Sequence, residues 1–81
     1  MFKLILYVKP RLEEYDVKVY VYDSSGKLIE ERGFSRVKQV VIRSPEVRLS
    51  RQLFHEYIAM VLDAFQPRLE FKEGGLLYVH G

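Results

Sequence analysis

Cysteine, tryptophan, asparagine and threonine are all absent from the 81-residue chain. Without cysteine there is no disulfide, no thiolate zinc site and no thiol nucleophile, which agrees with an intracellular, cytoplasmic protein. The missing asparagine removes a thermolabile side chain from a composition that is 30% charged. Charge networks cost less to desolvate when hot, so this balance fits a thermophilic source. Long apolar runs are lacking as well: Leu4 to Val8 is too short for a signal-peptide core or a membrane span, and no membrane association is expected. There is no internal repeat, low-complexity run or linker, so residues 1–81 read as a single domain with one core and a modest stability margin.

Enzyme signatures are also missing. His55-Glu56 begins like the zinc motif H-E-x-x-H, but Ala59 stands where the second histidine is needed to share a helix face. His80, next to last in the chain, is expected to be solvated. No G-x-S-x-G elbow occurs, and Gly74-Gly75 joins two apparent strands rather than opening a helix around a phosphate. The acidic pairs Glu13-Glu14 and Glu30-Glu31 are adjacent, so in extended chain they point apart. Catalytic residues, metal and cofactor are therefore not expected, and a binding protein is.

What the chain does have is alternation. Residues 2–8 place Phe2, Leu4, Leu6 and Val8 on one face of a strand, and residues 16–22 do the same with Val17, Val19 and Val21. Asp23-Ser24-Ser25-Gly26 has the chemistry of a short hairpin loop, with a third strand from Lys27 to Glu31 ending near Gly33. Residues 34–43 combine helical spacing with the β-branched run Val40-Val41-Ile42 and are read as a strand.

From Ser44 the pattern becomes helical. Ser44 suits an N-cap, Pro45 the first turn and Glu46 the positive dipole end. Val47, Leu53, Phe54, Tyr57, Ile58, Val61, Ala64 and Phe65 recur at three- and four-residue spacing, with Arg48, Gln52, His55, Glu56, Ala59 and Asp63 opposite, until Pro67 stops the helix. Two closing strands are joined by Gly74-Gly75 as a two-residue loop. The expected fold is therefore α+β, in the order β-β-β-β-α-β-β. One long amphipathic helix packs on an antiparallel sheet of five to six strands. A helix about 10 Å across covers only two or three strands spaced about 4.8 Å apart, which leaves sheet for a second copy to cover, so a homodimer is expected.

Two groups of residues are candidates for binding. The far face of the first two strands carries Lys3, Ile5, Tyr7 and Lys9 beside Lys18, Tyr20 and Tyr22, and Tyr78 would extend it if the last strand joins in register. Such a face suits single-stranded nucleic acid, whose bases stack on aromatic rings while cations follow the phosphates. It equally suits a subunit or protein-partner interface, or a solvated strand. The second group is basic. From Arg32 to Arg51 six cations stand against one acid, Glu46, a local charge of +5. If Arg36, Lys38 and Arg43 lie on a strand and Arg48 and Arg51 on the first helical turns, they form a phosphate-binding ridge; a merely solvated surface is the alternative.

Overall fold

The computed structural model describes the backbone of residues 1–43, 49–54 and 57–80, and the side chains of residues 1–43 and 58–80. Among them are eight strands and no helix: β1 (Phe2–Pro10), β2 (Tyr15–Tyr22), β3 (Leu28–Val37), β4 (Gln39–Arg43), β5 (Leu49–Phe54), β6 (Tyr57–Ala64), β7 (Arg68–Lys72) and β8 (Leu76–His80). They form a five-stranded sheet in the order β3-β2-β1-β6-β5 and a three-stranded sheet in the order β4-β8-β7. All pairs are antiparallel except β4 with β8.

The α+β expectation is thus corrected to all-β. Residues 49–54 and 57–64 are strands, and the expected helix start at Ser44, Pro45, Glu46, Val47 and Arg48 lies outside the described residues, as do His55 and Glu56. The misreading has a physical source. Tyr57 to Leu62 is continuously apolar, and such a run satisfies a period of 3.6 and a period of 2 equally well. A strand inside a sheet and covered on both faces reads as just such a run. Here β6 lies between β1 and β5, with Ala59, Leu62 and Ala64 each no more than 2% exposed. Helix propensity differences are below about 1 kcal/mol per residue, and a full ladder on each side of β6 outweighs them.

The core lies between the sheets. Leu4, Leu6 and Val8 of β1, Val17, Val19 and Val21 of β2, and Leu62 and Ala64 of β6 pack with Leu77 and Val79 of β8 and with Val37. The alternation in β1 and β2 converts directly into this burial. The chain changes sheets at a corner between β3 and β4. Arg36 takes φ 56°, and the backbone N–H groups of Lys38 and Gln39 donate to the Gly75 carbonyl at 2.8 and 3.2 Å. Residues 34–43 are therefore two strands in two sheets. Strands that bend from one sheet into the other are a known way to close such a pair of layers. The loop that receives the corner spans residues 73–75, since Lys72 pairs with Leu76, one residue longer than the spacing suggests.

The β2–β3 hairpin is held by Asp23. Its Oδ1 accepts from the Ser25 hydroxyl at 2.6 Å, the Ser25 N–H at 2.9 Å and the Lys27 N–H at 3.0 Å, while its carbonyl accepts from the Gly26 N–H. These bonds favour the ionised form, the Ser25 hydroxyl most and the Lys27 N–H next, and hold the carboxyl below its ordinary pKa of 3.8. A depressed folded pKa adds stability above the unfolded value, and that contribution disappears as pH falls through the folded one. A carboxyl-carbon NMR titration of Asp23 is expected to have its midpoint below 3.8. A midpoint at or above that value would mean the turn is not formed in solution.

Candidate functional site

The structure has two outward sheet faces, and sequence-derived candidates fall on both. On the five-stranded sheet, pairing sets the outer face out in rows. Tyr22 and Asp63 flank Lys3, Tyr20 and Val61 flank Ile5, and Lys18 and Ala59 flank Tyr7. Lys3, Tyr7, Lys18, Tyr20 and Tyr22 are thereby brought together as the alternation implies. Tyr7, Lys18, Tyr20 and Tyr22 line an open groove of about 300 Å³, and the Tyr7 and Tyr20 rings meet edge to face at 5.5 Å. Such an arrangement suits the ring quadrupoles and fixes both side chains.

The same pairing adds acids that no sequence pattern revealed. Asp63 stands opposite Lys3, Asp16 opposite Lys9 and Glu31 opposite Tyr20. Three lysines therefore share the face with three carboxylates, of which Asp16 accepts from the Arg11 Nε–H at 2.8 Å. Its centre is apolar: Ile5 and Val61 are half-buried, and Ala59 is buried although it lies outside the core cluster.

The basic segment does not form one ridge. Arg36 and Lys38 are exposed at the corner between the sheets, and Arg43 ends β4 in the three-stranded sheet. Arg51 lies on β5 opposite Met60, and Arg48 is outside the described residues. Residues 49–54 are a strand rather than helical turns, so among the described residues Arg36, Lys38, Arg43 and Arg51 stand at separate places in the fold. Tyr78 also leaves the first face, because β8 is the centre of the other sheet.

The outer face of the three-stranded sheet has a different character. Its rows are Arg43, His80 and Arg68, then Val41, Tyr78 and Glu70, then Gln39, Leu76 and Lys72. Tyr78 and His80 stack with centroids 5.9 Å apart at 22°, and the Arg43 guanidinium and the Lys72 ammonium sit 4.6 and 5.1 Å from the Tyr78 ring centroid. Glu70 lies 3.6 Å from both Lys72 Nζ and His80 Nε2, too long for a hydrogen bond, and the Nε2 is buried without a partner. Arg68 and Lys72 were not singled out by sequence, because only strand order places them beside Tyr78, and His80, expected to be solvated, has a side chain only 22% exposed.

No group of three or more acidic or histidine side chains suited to a metal occurs among the described residues, nor does a helix long and apolar enough to cross a membrane. No protein-family model, curated protein or solved structure matches the chain.

Proposed function

We propose that this protein is a small non-enzymatic interaction module whose tyrosine-rich outer face on the five-stranded sheet binds a second copy of the chain. The observation that carries the reading is the strand register, which gives the face an apolar and aromatic centre with its lysines balanced by carboxylates. Desolvated charge is costly unless paired, and tyrosine is enriched at protein interfaces because it combines a large apolar area with a hydroxyl that can reach water. A polyanion would instead need an excess of cations.

The size of the face supports the same reading. Five strands about 4.8 Å apart, of six to ten residues and rising about 3.3 Å per residue, present roughly 650 Å², close to the about 800 Å² per partner of a standard interface. The twofold pairing of such a face with itself would set Lys3 and Asp63 on both sides, available for reciprocal pairs.

Sedimentation equilibrium is expected to give twice the chain mass of 9.6 kDa for the native protein. The Tyr20→Asp variant should give the single-chain mass with an unchanged far-ultraviolet circular dichroism spectrum, because Tyr20 stands outside the core. A native protein that remains monomeric up to millimolar concentration would exclude self-association through this face.

A further inference from the structure

We infer that the outer face of the three-stranded sheet is a separate binding site for single-stranded nucleic acid, with Tyr78 and His80 as the stacking platform and Arg43, Arg68 and Lys72 as the phosphate contacts. The two faces of the protein differ in charge balance. On the five-stranded sheet three lysines, with Arg11 bonded to Asp16, stand with three carboxylates, whereas here, among the described residues, three cations face one acid, Glu70. Arg43 and Arg68 form no ion pair with any described residue.

The platform is built by β8. Tyr78 and His80 are two residues apart, so both project from one face of the central strand, and their rings lie within 22° of parallel. Cations come from both neighbouring strands, Arg43 from β4 and Arg68 and Lys72 from β7. A base of an extended nucleic-acid strand crossing the sheet would stack on the Tyr78 ring in place of a cationic head group that lies over it, and the displaced cation would turn to the phosphates. The guanidinium of Arg43, already over the Tyr78 ring, is itself planar and can stack on a base.

The aromatic rings also favour one kind of nucleic acid. Bases in a duplex are stacked on one another and present only edges in the grooves, which leaves no base face for the Tyr78 and His80 rings. Unpaired bases can be splayed onto it. Two rings accommodate about two bases, similar to the two or three taken by other single-strand-binding sheets. An acidic peptide would use the cations but gain nothing from parallel rings.

The test is fluorescence anisotropy of a short fluorescein-labelled oligopyrimidine titrated with the full chain. With three phosphates neutralised, the single-strand salt slope is about −2, so raising salt from about 50 to about 200 mM should weaken binding about 20-fold. Arg68→Gln should reduce that loss to about 7-fold by removing one contact. Tyr78→Ala should weaken binding about 5- to 150-fold, while Tyr78→Phe retains most of it. Glu70→Gln is expected to tighten binding several-fold, a gain that misfolding cannot produce.

Unlabelled duplex of the same sequence should compete weakly, and so should polyglutamate. Absence of salt-dependent binding at about 50 mM would overturn the assignment. Equal competition by duplex or polyglutamate, or indifference to Glu70→Gln and Tyr78→Ala, would do so as well. Binding retained in the monomeric Tyr20→Asp variant supports it and separates this site from the proposed dimer face.

Discussion

Gly75→Ala is expected to cost about 3 to 5 kcal/mol, enough to lower the melting temperature by about 12 to 40 °C. Gly75 has φ 80°, a left-handed conformation that costs a side-chain-bearing residue about 1 to 2 kcal/mol. A Cβ there would also lie 2.6 Å from the Arg36 carbonyl oxygen and 2.9 Å from the Lys38 nitrogen, both of them backbone atoms. Neither can move without opening the corner where β3 gives way to β4, which costs the two hydrogen bonds to the Gly75 carbonyl.

Gly74 supplies the control. Its φ is 81°, but nothing lies within 4 Å of a Cβ built on it. Gly74→Ala should therefore carry only the conformational cost of about 1 to 2 kcal/mol. Urea titrations of both variants separate the two terms by difference, since the backbone angle is shared. Equal costs would show that the close approach of residue 75 to the corner is not present in solution. The corner bears on the proposed nucleic-acid site because it holds β4, and with it Arg43, beside β8.

The legible and illegible parts of this fold divide along a physical line. Val17, Val19 and Val21, like Leu4, Leu6 and Val8, alternate with polar and aromatic residues, and no helix could bury such a set on one stripe. Their burial follows from local geometry alone. In the segment from residue 57 to residue 64 nearly every position is apolar, and Ala59, Met60 and Leu62 are good helix formers. What makes it a strand is a partner far away in sequence: β1 needs a neighbour on the side that β2 does not cover, and β6 supplies one.

The binding faces divide in the same way. The grouping of Lys18, Tyr20 and Tyr22 is a matter of parity along one strand and was readable. The opposition of Asp63 to Lys3 depends on which residues of two distant strands pair, and a slip of one residue would reverse its face. The gathering of Arg43, Tyr78 and Arg68 depends further on a parallel pairing of β4 with β8 across 33 residues or more of chain. Local pattern carries no record of such a pairing.

Phe65→Ser should have the opposite consequence from the one the helical spacing implies, and Leu62→Ala supplies the comparison. On a helix, Phe65 falls on the apolar stripe with Val61 and Ile58. As β6 ends at Ala64, Phe65 instead lies 55% exposed at the lip of a cleft of about 760 Å³ at one end of the two sheets. Its replacement by serine removes little buried area and should change stability by no more than about 0.5 kcal/mol. Leu62 is 1% exposed and stands opposite Leu4 in the centre of the core.

Truncating Leu62 to alanine leaves a cavity between two sheets that cannot close around it without shifting a whole strand. A cost of about 2 to 5 kcal/mol is expected. For a domain of 81 residues total stability is about 4 to 12 kcal/mol, so the variant should melt at least about 8 °C lower and can lie near the limit of folding. Thermal melts followed by near-ultraviolet circular dichroism compare the two variants directly. A large loss for Phe65→Ser with a small one for Leu62→Ala would return the segment to a helix. The expected order, with Leu62 dominant, places Val61 on the outer face beside Ile5 and leaves the tyrosine-rich surface its apolar centre.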